Sequence, residues 1–226
     1  MGRFFDFESP FWRGVSRVAD IVILNVYFTV TALPLVTMGA SFAALYDVAG
    51  RIHDDRGGGV TRMFFRSFRD NFWRATATWA IVGPIGFALV FSWFFLPIAE
   101  LTVVKTLFSL VYLLVFPFFF FLQIRFDSGF ANTLKNAFLI PLSRLPWAAG
   151  ALAVTIGLLA LTVVVAVREP SWLAPLLLGG VAMVVYATIP LLDRTVQPWV
   201  EGVPDAGSDS STGKAEGASG FDPDST

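Results

Sequence analysis

Residues Leu33–Thr76 read LPLVTMGASFAALYDVAGRIHDDRGGGVTRMFFRSFRDNFWRAT. An uncharged bend leads into an apolar helix, and that helix runs into a basic, phenylalanine-rich segment. Whether the chain doubles back across a bilayer here decides the sidedness of the rest. In the basic part, Arg62, Arg66 and Arg69 fall at i, i+4 and i+7, and Phe64, Phe65, Phe68 and Phe72 at i, i+1, i+4 and i+8. On a helix these make a cationic face and an aromatic face. Such a helix can lie in the headgroup layer, with rings in the acyl boundary and guanidinium groups on anionic lipid. The plainer reading packs the same helix on its own bundle, with arginines that only mark the cytoplasmic side. Arg62, Arg66, Arg69, Phe64 and Phe68 form the candidate lipid- or partner-facing set.

The surrounding chain belongs in a membrane. Of 226 residues, 55% are hydrophobic and only 15% charged, and the mean hydropathy is +0.68. A soluble domain is nearer a quarter charged. The excess sits in runs of about 20 residues, the length that spans a bilayer. The 24 phenylalanines and 7 tryptophans crowd the run ends, where aromatic belts form. There is no cysteine and a single histidine, His53. That excludes disulfides, thiolate chemistry and a multi-histidine metal site within one chain. From Glu201 onward there are six acids and one lysine, which leaves 15 basic and 11 acidic residues before it. The body is basic and the tail acidic.

Three regions are expected: an amphipathic arm over 1–17, a helical bundle over 18–200 and a disordered acidic tail over 201–226. No small-x-small cleavage site follows the first apolar run, so the arm is read as retained. The apolar runs are about 18–33, 36–52, 75–97, 103–124, 147–167 and 172–192. Pro34 and Gly39 break the first from the second. The second run, at about 1.5 Å per residue, reaches roughly 25 Å, a short crossing. If it does not cross, there are five spans and an interfacial helix, and Arg3, Arg13, Arg17, Lys105 and Arg168 lie outside. If it crosses, there are six spans, and only Lys105 and Arg168 lie outside against 14 basic residues inside. The positive-inside rule favours the second arrangement. The expected fold is an all-α polytopic bundle of six membrane helices in three hairpins, both termini cytoplasmic. Residues 128–146 are read as an inner loop. The spacings Trp73–Pro117 and Trp147–Pro190 suggest that two hairpins repeat in parallel.

Polar groups near the inner ends are the candidates for chemistry. Asp20 and Asp47, with Arg17 at i−3 and Arg51 at i+4, can pair on their own helices. The functional reading makes Asp20, Asn25, Asp47 and Asp127 a polar vestibule. Gly39, Ala40, Ala43 and Ala44 form a small-residue face for close helix packing or for a partner. The acids of Asp54-Asp55-Arg56-Gly57-Gly58-Gly59 would repel phosphate, and no lysine-serine or lysine-threonine follows, so this is a turn rather than a phosphate loop. No nucleophile–base–acid set and no HExxH stand out. No enzyme, metal or cofactor is therefore expected. The arginines are accounted for by orientation, which leaves no case for nucleic acid.

LPLVTMGASFAALYDV (Leu33–Val48), FFRSFRDNFWRAT (Phe64–Thr76) and TLKNAFLIPLSRLP (Thr133–Pro146), in this order and spacing, resemble the YesL-like membrane proteins, the domain-of-unknown-function 624 family. The similarity covers roughly residues 10–195. It implies a bacterial multi-pass inner-membrane protein, commonly encoded beside carbohydrate ABC transporters and glycoside hydrolases, and it implies no reaction. The functional expectation is a non-enzymatic accessory of carbohydrate uptake. Its partners would be the lipid bilayer and ABC permease subunits, or a second copy of itself. A small secondary transporter is the alternative.

Overall fold

Each of the six apolar runs should be helical, and the computed structural model places helices over them. It describes residues 10–56, 58–126, 130–169, 171 and 173–201. Among them are eight α-helices and one 3-10 turn, and no strand: α1 (Pro10–Ala32), α2 (Met38–His53), α3 (Val60–Asp70), α4 (Phe72–Phe95), the 3-10 turn Ala99–Leu101, α5 (Thr102–Arg125), α6 (Phe130–Ser143), α7 (Leu145–Arg168) and α8 (Leu173–Glu201). Contacts divide the chain into units Met1–Thr195 and Val196–Thr226. Of the second, only the end of α8 is described. The protein is an all-α membrane protein. Stretches within α1, α4, α5 and α7, together with the 3-10 turn, are long and apolar enough to cross a bilayer: Gly14–Ala32, Phe72–Phe95, Ala99–Arg125 and Leu145–Val165.

α2 is the helix the others surround. Eleven of its 16 residues are buried, and it packs on α1, α3, α4 and α5. It runs antiparallel to α1 along the whole of their shared length. At one end the Thr37 hydroxyl donates to the Thr31 carbonyl (2.6 Å) and the Ser41 hydroxyl to Thr31 Oγ1 (2.9 Å). At the other, Arg17 meets Asp55 at 2.5 Å. On α1 the contacts at Arg17 and Thr31 lie fourteen residues apart, roughly 21 Å of rise. The turn between them is closed by Thr37 N–H on the Pro34 carbonyl (3.0 Å), and its Leu33, Leu35 and Val36 are exposed.

Small residues make this centre. Ala40, Ala43 and Ala44 are wholly buried, so the small-residue face serves packing inside the bundle. Gly39 does not break the helix. It lies in the first turn of α2, where a Cβ would come within 2.3 Å of the Ala75 carbonyl oxygen and 2.5 Å of the Trp79 Cβ. A bare backbone is what lets α2 and α4 approach there. Phe42 stacks on Phe120 and meets Phe116 edge-on, with centroids 5.4 and 5.1 Å apart. Phe118, Phe119, Phe120 and Phe121 are buried. These rings form the core of the bundle and not an interfacial belt.

Two readings of connections need correction. Residues 130–143 of the expected inner loop form α6, with Thr133, Ala137 and Ile140 buried at helical spacing. That periodicity puts one face of α6 on α5. Lys105, read as marking an outer loop, is buried in α5. Its ammonium donates to the Ser92 carbonyl (3.0 Å) and to that of Leu96, at the end of α4. It thus satisfies carbonyls left open at a helix C-terminus.

Candidate functional site

Several charged side chains meet across helices near Asp55, Phe126 and Asp193. Arg17 of α1 reaches Asp55, and Arg125 of α5 pairs with Asp193 of α8. Arg194 lies over the Trp147 ring of α7, 4.9 Å from its centroid. The Arg74 guanidinium donates to the Phe126 carbonyl at 3.5 Å. Asp55 adopts φ 52, the positive-φ non-glycine among the described residues, and this turns the chain back after α2 so that its carboxylate faces Arg17. Sequence spacing pointed Arg17 at Asp20. The fold instead gives Arg17 a partner 38 residues away, and Asp20 forms no ion pair among the described residues.

The Asp47–Arg51 pair forms as the i, i+4 spacing indicates. Arg51 Nε lies 2.9 Å from Asp47 Oδ1, and its terminal nitrogen 3.1 Å from Oδ2. This bidentate pair borders two polar cavities. One, of about 410 Å³, lies between α2 and α3. Arg62, Arg66, Ser67, Asp70 and Asn71 make up most of its remaining wall, and Ile124 of α5 closes it. The other, of about 220 Å³, is lined by Asp47, Arg51, Arg56 and Arg125 with Tyr46 and Phe121.

α3 explains why the first cavity is cationic. Val60, Phe64 and Ser67 are buried on its inner side. Phe64 lies against Tyr27 of α1, with centroids 5.8 Å apart, and stacks on Phe68. The inner aromatic side thus packs on the bundle, while Arg62, Arg66, Arg69 and Phe65 are exposed. α3 is capped by Asn71, whose side-chain amide donates to the Ser67 carbonyl (3.0 Å); α4 starts at Phe72.

The other sequence-selected residues go elsewhere. Asn25 is buried, and its Oδ1 accepts the Ala182 N–H of α8 at 2.9 Å. Asp20 lines none of the cavities described above. Asp127 lies outside the described residues, as do the arm to residue 9 and the acidic tail after 201. Gln123 Oε1 accepts from the Thr78 hydroxyl at 3.1 Å, in the core. Thr76 Oγ1 is buried without a hydrogen-bond partner among the described residues. Sequence reasoning did not find the cavity itself. The signal was present as Asp47 and Arg51 four apart and Arg62 and Arg66 four apart, but nothing local says that the two helix faces meet.

A third cavity, of about 630 Å³, is apolar. Leu33, Met38 and Phe42 of the first hairpin face Leu113 and Pro117 of α5, Leu159 of α7, and Val181 and Val185 of α8 across it. Among the described residues no cluster of three or more histidine or acidic side chains is placed to hold a metal ion.

Residues 21–93 match the family described as Protein of unknown function, DUF624. No curated protein and no solved structure matches the chain.

Proposed function

We propose, taking as premise that residues 21–93 place this chain in the DUF624 family, that it is a non-enzymatic membrane accessory protein that works through its cytoplasmic end. The observation carrying this reading is where its polar atoms go. Asn25, Thr78 and Gln123, deep in the bundle, are bonded to neighbouring helices, and the 630 Å³ cavity is an open groove, mostly apolar with four threonines in its wall. The polar cavities are walled instead by Asp47, Arg51, Arg62 and Arg66. A path for a hydrophilic solute needs convergent polar groups at mid-membrane, whereas an accessory needs only a charged face. The link to carbohydrate uptake, with an ABC permease subunit or a second copy as partner, rests on the family resemblance. Affinity purification from native membranes tests it. Permease subunits should co-purify; their absence, together with sugar flux in liposomes holding this protein alone, reverses the reading.

A small secondary transporter is the second reading. Prolines inside α4 and α5 (Pro84 and Pro117) and the 630 Å³ cavity favour it.

The topology belonging to the first reading has six spans in three hairpins, α1–α2, α4–α5 and α7–α8, in a bacterial inner membrane with both termini cytoplasmic. The antiparallel register of α1 and α2 supports it, and so do Arg17–Asp55 and Arg125–Asp193, which join the ends that such a topology puts together. The chain has no cysteine, so single cysteines report cleanly. An impermeant maleimide applied to intact cells should label Leu35→Cys and spare Gly58→Cys. Labelling of Gly58→Cys alone would show that the sidedness is reversed.

A further inference from the structure

The cavity between α2 and α3 is a cleft of about 410 Å³ with an unequal charge pattern. Three arginines and two aspartates border it. Arg51 is held bidentately by Asp47, whose side chain is only 18% exposed. Arg66 and Asp70 stand 3.7 Å apart, both well exposed, and such a pair contributes little. Arg62 forms no ion pair among the described residues. One guanidinium is therefore uncompensated and a second is loosely held, four residues apart on one helix. Ser67 adds a buried hydroxyl. Its oxygen receives the Asn71 amide at 3.4 Å, which leaves its hydrogen free to donate into the cleft.

Planar guanidinium forks fit the paired oxygens of a phosphate. The net balance sets which phosphate. With two carboxylates in the wall, the cleft offers about one positive charge, enough for a single anionic charge, and a dianion meets repulsion from Asp47 and Asp70. The volume exceeds that of a bare ion and falls in the range of small-molecule sites. Phe65, 47% exposed, sits between Arg62 and Arg66, and Trp73, 81% exposed, follows at the start of α4. Apolar side chains are thus at hand for the hydrocarbon end of an amphiphile.

We propose that this cleft binds one phosphodiester, of the kind carried by an anionic phospholipid headgroup or by its soluble deacylated form, with Arg62 and Arg66 as the phosphate ligands. This deepens the reading of a working cytoplasmic end and rests on it. The sidedness itself is read separately by the Gly58→Cys label, so the two can fail independently.

The test uses the full chain in detergent with equimolar phosphatidylglycerol and phosphatidylcholine, and native mass spectrometry counts the retained lipid. One phosphatidylglycerol per chain should be kept in preference to phosphatidylcholine. Arg62→Gln should weaken retention about tenfold, the loss of one charged hydrogen-bonding partner. Arg62→Lys should fall between, keeping the charge without the fork. Arg69→Gln, on the same helix but not in the wall of the cleft, should change it less than about twofold, since an exposed charge that makes no direct contact contributes little. Glycerophosphoglycerol forms the second arm. If it binds while the lipid shows no preference, the phosphodiester chemistry stands and the source is soluble. The proposal is overturned if neither ligand binds, or if Arg69→Gln weakens binding as much as Arg62→Gln, since that would be a diffuse surface field and not a site.

Discussion

The two halves of α5 lie in different surroundings. From Val115 to Gln123 the helix is buried, Phe116 alone being half-buried, and Phe118 and Phe120 are fully enclosed. From Thr102 to Val111, Val103, Val104, Leu107, Phe108, Leu110 and Val111 are exposed. Composition is apolar in both. In water the second half would be untenable over this area. In lipid it is ordinary, because acyl chains are as apolar as leucine and no force drives those side chains inward. The bundle is therefore tightly packed where α2 and α6 meet α5, and loose where α4 and α5 extend as a pair.

Substitutions can break or sharpen that contrast. The largest expected effect is Phe120→Ala, which should cost about 3–5 kcal/mol as a cavity in a closed core; Phe108→Ala, 61% exposed, should stay within about 0.5 kcal/mol. Unfolding in micelles followed by tryptophan fluorescence reads both, and equal losses would erase the distinction between the halves. Next, Gly39→Ala should cost about 2 kcal/mol by overpacking against Ala75 and Trp79. Gly157→Ala in α7, where a Cβ meets nothing within 4 Å, should instead gain about 0.5 kcal/mol of helix propensity. A shared sign at the two glycines would show that close approach is not the cause. Lys105→Met should cost about 1.5 kcal/mol by removing the donor that serves Ser92 and Leu96, read as a lower midpoint and faster amide exchange at the end of α4. The smallest effect belongs to Asp193→Asn. Its pair with Arg125 is about one-third exposed on each side, so the loss should be about 0.5–1 kcal/mol and should shrink in high salt.

Span positions were legible to within a few residues: runs read at 75–97, 103–124 and 147–167 are α4 (Phe72–Phe95), α5 (Thr102–Arg125) and α7 (Leu145–Arg168). Hydropathy over 20 residues is a strong signal, because the bilayer fixes the length. α6 was missed for a matching reason. Its information is a period, Thr133, Ala137 and Ile140, inside a segment whose Lys135, Pro141 and average polarity read as a loop. Phe116–Phe121 fell inside the run read at 103–124, but composition does not tell a ring facing lipid from one facing Phe42. Of the candidate site, Asp47–Arg51 was readable as an i, i+4 pair. Arg17–Asp55 and the meeting of Arg51 with Arg62 and Arg66 were not, because they depend on how helices far apart in sequence come to lie side by side.

The exposed, uncharged turn at Leu33–Val36 bears on biogenesis. The α4–α5 connection carries Glu100, and Arg168 ends α7 with Glu169 just after it. In the six-span arrangement proposed above, inserting either hairpin would move ionised groups through hydrocarbon, at about 2.5–3.5 kcal/mol for each charge on insertion scales. The first hairpin has no such cargo at its tip. In that arrangement it would enter the bilayer without carrying an ionised group across.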